Sequence, residues 1–273
     1  MTIGHFLPKA TAQLQQAGIE TPRLDVLILL EDALGIGRAH LLAHPETSLP
    51  PTVVAELNNK ITQRKTHLPL AYIRSSVSFY GRVFRVTKHV LIPRPESESM
   101  IELFKKTAPP PRARVADIGT GSGCLGITAA LEMPDATVEL YDTSPHALAV
   151  ARRNARLHHV VASVKRADLL EGLSNNTHYH ALLANLPYVP DGYPINKAAA
   201  HEPPGALFAG ADGMGVYRRF WEQITKRTRK PAYVITETLT EQHAENIRLA
   251  ASASYQLKDT IGLAQLYTLN ADR

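Results

Sequence analysis

One stretch constrains this chain more than any other: an apolar strand that runs directly into glycines. Val115-Ala116-Asp117-Ile118 reads as a buried strand. It passes without a linker into Gly119-Thr120-Gly121-Ser122-Gly123, and a helical pattern follows from Cys124 to Leu131. Glycines let the backbone reverse within a few residues and leave its N–H groups open at the start of a helix, where an anionic or polar ligand can lie against them. A strand, tight loop and helix in this order belong to a parallel sheet covered by helices, because parallel neighbours need such crossovers.

The rest of the C-terminal two thirds repeats the theme. Apolar runs at Arg114–Ile118, Thr137–Tyr141, Val161–Lys165, His180–Ala184, Ala232–Glu237, Ser254–Lys258 and Ala264–Leu269 alternate with helical stretches such as Pro145–Leu157 and Val216–Lys226. The pattern predicts an α/β fold with a mainly parallel sheet, the last two strands forming an antiparallel pair. The first 70 or so residues read as helices only. Thr21 offers an N-cap hydroxyl, Pro22 a first helical position, and Leu24, Leu27, Ile28 and Leu34 an apolar stripe that Gly35 closes. A second helix starts at Pro50-Pro51 and carries Val54, Leu57 and Ile61. Between the two regions, Val77, Phe79, Val83, Phe84 and Val86 around Gly81 predict a β-hairpin. The expected division is a helical domain over 1–71, a hairpin linker over 72–95 and an α/β domain over 96–273.

Composition limits the alternatives. With 44% apolar and 20% charged residues, the 273-residue chain has ordinary globular content, which excludes a disordered, collagenous or coiled-coil protein. Its longest aliphatic run, Val26 to Leu30, is far shorter than the ~20 residues of a membrane span, and residues 1–16 show no export signal. A single cysteine, Cys124, fits a reducing compartment, so a cytoplasmic protein with no membrane association is expected, a monomer by default. The net charge of +5 favours an anionic partner, yet the basic residues are dispersed and no basic-aromatic surface pattern for nucleic acid is present. The His158-His159 and His178/His180 pairs lack the companions of a metal site, and none is expected.

The glycine loop admits two readings. Gly121, Gly123 and Gly126 match a dinucleotide fingerprint, whereas Gly119, Gly121 and Gly123 behind Asp117 match the nucleoside loop of S-adenosylmethionine enzymes. Asp142, at the end of the next strand, suits ribose hydroxyls in either case. Asn185-Leu186-Pro187-Tyr188, ending a later strand, separates them. A planar NH2 group with a delocalised lone pair is a poor nucleophile. An Asn oxygen and a neighbouring main-chain carbonyl can accept its two hydrogens and turn the nitrogen toward an electrophile, a gain from position rather than from a strong base. Tyr188 can wall or stack on such a group. Hydride transfer needs none of this.

These motifs resemble those of the PrmC/HemK glutamine methyltransferases that modify peptide chain release factors, and the likeness runs along almost the whole chain. Thr21-Pro22-Arg23-Leu24-Asp25 is similar to the family's helical N-terminal domain, and Leu68 to Ile73 with Phe79-Tyr80-Gly81 to its hinge and hairpin. Leu91-Ile92-Pro93-Arg94-Pro95-Glu96 matches a specific family signature, and Glu202 through Gly213 a further block. The resemblance implies a Rossmann-like class I methyltransferase sheet and S-adenosylmethionine as cofactor, held by Asp117, Gly119, Thr120, Gly121, Ser122, Gly123, Asp142, Asp168, Leu169 and Asn185. It implies a release factor as protein substrate, held by the helical domain, and a Gly-Gly-Gln glutamine amide gripped by Asn185 and the Leu186 carbonyl beside Pro187 and Tyr188, the predicted catalytic residues. Leu186 stands where the family has proline. Asn-Leu-Pro-Tyr is the form typical of ribosomal-RNA adenine methyltransferases, so nucleic-acid adenine-N6 transfer is an alternative, as is a non-catalytic binding module.

Overall fold

The apolar pattern of the first 75 residues resolves into five helices: α1 (Ile3–Gln16), α2 (Pro22–Leu34), α3 (Arg38–Ala43), α4 (Pro51–Lys65) and α5 (Leu70–Arg74). The computed structural model describes residues 1–270 and divides into two units, Met1–Ser75 with Asn196–His201, and Ser76–Ile195 with the chain from Glu202 onward. In the first unit Ile3, Phe6, Leu14, Val26, Leu29, Leu30, Leu57 and Ile61 form one core. Two expectations for α2 need correction. Leu24 is 41% exposed, while Val26, Leu29 and Leu30 are buried, because the unbroken apolar run packs α2 against α1, α3 and α4 together. The Thr21 hydroxyl does not cap the helix either. It donates to Asp25 Oδ1 at 2.8 Å, since that buried carboxylate, which also accepts from Arg64 Nε at 2.7 Å, requires donors. Gly35 closes α2 in the left-handed conformation, as expected.

The second unit begins with the hairpin, β1 (Ser76–Phe79) and β2 (Arg82–Arg85), whose turn residues Tyr80 and Gly81 both have positive φ. Then follow α6 (Glu98–Lys106), β3 (Arg114–Ile118), α7 (Cys124–Glu132), β4 (Thr137–Asp142), α8 (Pro145–Leu157), β5 (Ala162–Arg166), β6 (Ala181–Ala184), α9 (Gly215–Thr225), β7 (Tyr233–Glu237), α10 (His243–Ser252), β8 (Tyr255–Ile261) and β9 (Ala264–Leu269). The seven strands lie in the order β5-β4-β3-β6-β7-β9-β8; β5 to β7 are parallel, and β9 joins β7 and β8 antiparallel. The predicted architecture is therefore present, with strand ends displaced by at most a few residues.

Alternation along the strands divides the interior in two. Ala116, Ile118, Leu182, Ala184 and Val234 meet Tyr217, Phe220 and Trp221 of α9 on one face. Val115, Ala181, Leu183 and Ile235 meet Met100, Phe104 and Ile127 on the other, together with Phe79 and Phe84 of the hairpin. The strand order reverses between β3 and β6, so the chain leaving β3 and the chain leaving β6 emerge side by side, with Asp117 in register with Leu183. That is the crevice where open α/β sheets bind ligands. Among the described residues, no helix is long and apolar enough to cross a membrane.

Candidate active site

The glycine loop leaves β3 and folds back at once: Thr120 N–H donates to the Tyr141 carbonyl at 2.8 Å and Gly123 N–H to the Thr120 carbonyl at 2.8 Å. Gly119, Gly121 and Gly123 all have positive φ, a conformation that a side chain would strain. Nothing lies within 4 Å of where a Cβ on Gly121 would stand, so its backbone faces open space. Gly126, one turn into α7, serves packing: a Cβ there would fall 2.3 Å from Leu140 and 2.9 Å from Asp117. Asp117 braces the loop from behind. It is 1% exposed, and its Oδ2 accepts from Thr120 Oγ1 at 2.6 Å and Gly126 N–H at 2.9 Å. Its Oδ1 is buried without a hydrogen-bond partner. Burial pushes this carboxyl up to about 6, against the pull of those two hydrogen bonds.

Asp142 closes β4 on the adjacent side. Oδ2 accepts from Gly121 N–H at 2.9 Å and Oδ1 from Ser144 N–H at 2.8 Å, which fixes the carboxylate and leaves lone pairs for hydroxyl groups. Burial raises its pKa from the usual carboxylate value, opposed by these main-chain donors. Ser144 also caps α8, its Oγ accepting from Ala147 N–H.

A cavity of about 490 Å³ lies over this loop. Gly119, Thr120, Gly121, Ser122, Asp142, Asp168, Leu169, Asn185, Leu186 and Pro187 line it, together with Arg94, Ser97 and Arg219. Three predicted residues, Asp117, Gly123 and Tyr188, are not in the lining and stand behind it. Asp168 Oδ2 accepts from Arg219 Nη2 at 2.5 Å across the cavity rim, and Leu169 adopts positive φ. Cys124 also faces the cavity, but burial holds its thiol up at about 12, so it is a packing residue and not a thiolate. The lining fits S-adenosylmethionine: a glycine loop whose backbone at Gly121 leaves room for close approach, a held carboxylate for ribose hydroxyls, and two carboxylates whose negative potential suits a sulfonium.

Asn185 follows β6 directly. Its Nδ2 donates to Ser97 Oγ at 2.9 Å and to Glu237 Oε1 at 3.1 Å. Both amide hydrogens are thereby used, and the reverse amide orientation would set oxygen against carboxylate oxygen. The Leu186 N–H donates to Tyr217 Oη at 3.3 Å. Neither Asn185 Oδ1 nor the Leu186 carbonyl receives a hydrogen bond from the described residues. These are the two acceptors that a planar NH2 group requires.

Comparison with known proteins agrees with this geometry. The PrmC N-terminal domain family matches residues 5–74, and the methyltransferase small domain family matches residues 95–202. A release factor glutamine methyltransferase of Coxiella burnetii is 32% identical over 253 residues, covering 90% of this chain and 91% of the relative. Its counterpart in Bacteroides thetaiotaomicron is 33% identical, with 92% and 93% covered. The chain belongs to the release factor glutamine methyltransferase family. Among solved structures, the hMettl16 catalytic domain superposes with a TM-score of 0.53 at 10% identity, covering 81% of this chain and 80% of that one. A 16S rRNA methyltransferase of T. thermophilus in complex with AdoMet and guanosine gives 0.52 at 15%, covering 72% and 50%. At such identities these two establish the shared fold.

Several residues of this family member's site were not singled out from sequence. Glu237, 1% exposed at the end of β7, accepts from both Asn185 Nδ2 and Tyr188 Oη, the latter at 2.9 Å. Burial raises its carboxyl, while hydrogen bonds from Ser97, Tyr188 and Asn185 lower it and nearby Glu96 adds to the rise. Gln242 Nε2 holds the Tyr188 carbonyl at 2.8 Å and the Asp212 carbonyl at 2.9 Å. Glu202, also buried, accepts from the Ile92 N–H at 2.9 Å and pairs with Arg94, which fixes the Pro93-Arg94-Pro95 segment at the cavity wall. Glu202 carries a signal in opening the block that resembles the family, and Glu237 one in its position: it ends a strand beside β6, and an acidic residue at the carboxyl end of a buried strand is unusual enough to mark a site.

Proposed function

We propose that the protein methylates the side-chain amide nitrogen of the glutamine in the Gly-Gly-Gln loop of a peptide chain release factor. The observation that carries this reading is the pair of free acceptors, Asn185 Oδ1 and the Leu186 carbonyl, beside an Asn185 amide nitrogen whose two hydrogens are held by Ser97 and Glu237. When bound, S-adenosylmethionine supplies an electrophilic methyl group on a sulfonium. Asp142 holds its ribose hydroxyls where the side-chain-free glycine loop lets the nucleoside approach, and Asp168 and Leu169 border the base. Asn185 Oδ1 and the Leu186 carbonyl each accept one hydrogen of the glutamine NH2, which fixes the direction of the nitrogen lone pair. Ser97 and Glu237 keep Asn185 in the one orientation that offers its oxygen. No residue need act as a strong base, since the proton of the methylated, cationic nitrogen is lost readily. We assign the holding of the release factor to the helical unit.

A labelled-methyl transfer assay tests the reading, with a release factor, the same factor carrying Ala for the loop Gln, and ribosomal RNA in parallel. Label on the unaltered factor alone is the expected result. Label on RNA alone overturns it in favour of adenine methylation, the reading that the Asn185-Leu186-Pro187-Tyr188 sequence also permits. No label anywhere, with cofactor binding intact, supports a non-catalytic module.

A further inference from the structure

Leu186 differs from a proline in two ways, a free side chain and a main-chain N–H, and the structure gives each a defined place. The side chain is 3% exposed and lies against the glycine loop, its Cδ2 3.0 Å from where a Cβ on Gly119 would stand. The N–H points at the hydroxyl of Tyr217, a fully buried residue of α9. That hydroxyl also accepts from the Glu237 N–H at 3.3 Å and lies 2.8 Å from the Ala184 carbonyl and 2.7 Å from the Glu237 carbonyl. A phenol has one proton and two lone pairs, so the two N–H groups and the two carbonyls use its full capacity, the proton shared between the carbonyls.

The hydroxyl therefore sits just past the last ladder pair, Ala184 with Thr236, and joins β6 to β7 where their main chains separate. Both acceptors offered to substrate depend on this junction. The Leu186 carbonyl belongs to the residue whose N–H the phenol holds, and Asn185 is gripped by the side chain of Glu237, whose own backbone the phenol holds.

We propose that Tyr217 is a positioning residue for methyl transfer: by holding the Leu186 N–H its hydroxyl fixes the Asn185–Leu186 peptide plane, from which both the Asn185 side chain and the Leu186 carbonyl extend, an anchorage different from the φ restraint that a proline ring would impose. Leu186 is in this account a built component of an active site. The inference rests on the glutamine-amide reading for its substrate, but its structural core can be tested without turnover.

The test is a double-mutant cycle of wild type, Y217F, L186P and L186P/Y217F, with kcat and KM for the release factor, cofactor Kd by calorimetry, and Tm. In the leucine background Y217F lowers kcat about tenfold, with KM and cofactor Kd within about threefold, because the transition state and not the ground state needs the fixed carbonyl. In the proline background, which has no N–H to leave unpaired, the same substitution costs about threefold or less. An equal loss in both backgrounds overturns the proposal and reduces Tyr217 to a structural tie between strands, as does an unchanged kcat in Y217F. Should L186P not fold, amide exchange decides: in Y217F the Leu186 N–H is expected to exchange at least about tenfold faster relative to the β6 amides, and an unchanged ratio overturns the proposal. Absence of transfer to the release factor by wild type defeats the functional reading alone, since the exchange measurement stands apart from it.

Discussion

Asn185 Nδ2 and Glu237 Oε1 stand 3.1 Å apart, a buried carboxylate holding an amide by its nitrogen end. With Ser97 taking the second hydrogen, the contact decides which atom of Asn185 faces the cavity. An Asn that offers its oxygen is an acceptor for an NH2 group; one that offered nitrogen would recognise carbonyls instead. On the proposed reading, the selectivity of the site for an amide or amine nitrogen begins in a residue that does not line the cavity.

Asn185→Asp preserves size and the cavity-facing oxygen but replaces the donor aimed at Glu237 with a second acceptor. Two carboxyl groups in that contact cannot both ionise without cost, and the side chain turns. The expected outcome is a fall in kcat of about 100-fold or more, comparable to the loss of one preorganised partner elsewhere. Cofactor affinity, measured by calorimetry, should change far less. An affinity that falls in step with kcat would sink the orientation account.

Glu237 can be tested by comparing amide and methyl replacements. In Glu237→Gln the remaining carbonyl oxygen still accepts from Asn185 and Tyr188, and activity should stay within about fivefold of wild type. Glu237→Ala leaves the Asn185 amide and the Tyr188 hydroxyl short of an acceptor, and kcat should fall about 30-fold or more with a lower Tm. Equal losses for the two variants would show that the negative charge, and not the acceptor, is what matters.

The contrast between what was and was not legible in the sequence follows the range of the interactions. The glycine loop was readable because its requirements are local: three positive-φ positions within five residues and a helix beginning at the next. The order of strands and helices was readable for the same reason, including α8, whose Ser144 cap and Pro145 start are adjacent in the chain. Asn185 and Leu186 were recognisable as acceptors, but what orients them was not. Ser97 lies 88 positions from Asn185, Glu237 52 positions, Tyr217 31 positions from Leu186, and Gln242 54 positions from Tyr188. Thr21 failed as a cap by the same logic: a carboxylate buried against Arg64, 39 positions from it, took the hydroxyl that the helix end was expected to use.

Asp142 ties β4 to the glycine loop through the Gly121 N–H and to α8 through the Ser144 N–H. Asp142→Ala removes both main-chain contacts and the acceptors assigned to ribose hydroxyls. Cofactor Kd is expected to rise about 30-fold or more, in line with hydrogen bonds to a charged group. The release factor KM, measured at saturating cofactor, should move little. A cofactor Kd within a factor of about two of wild type would remove Asp142 from the binding site.

Gly213 has φ of +72°, and a Cβ on it would stand 2.1 Å from the Tyr188 carbonyl oxygen and 2.5 Å from Gln242 Nε2. Gly213→Ala must therefore push apart the contact by which Gln242 holds the Tyr188 carbonyl. The expected result is a drop in Tm together with a loss of kcat of about tenfold or more, whereas Gly205→Ala, at a site with nothing within 4 Å, should leave Tm unchanged.

The carboxyl of Asp117 gives a pH dependence of stability whose sign is fixed by its burial. Folding raises its pKa from 3.8 to about 6, so the folded state binds this proton more tightly than the unfolded state. The associated stability is fully present below about pH 4 and is lost as pH rises through about 6. The loss reaches about 3 kcal/mol, since each tenfold difference in proton affinity between the two states is worth ~1.4 kcal/mol. Asp117→Asn retains an oxygen to accept from Thr120 and Gly126 and cannot ionise. Denaturant unfolding at a series of pH values should show wild type losing stability relative to this variant between about pH 4 and pH 7, and running parallel to it above that range. Cofactor should narrow the difference, because a cation bound near Asp117 favours its ionised form and returns part of the desolvation cost. A difference between wild type and variant that stays constant across the whole range would show that Asp117 is ionised in the folded protein with an ordinary carboxylate pKa, held by its two donors in spite of its burial.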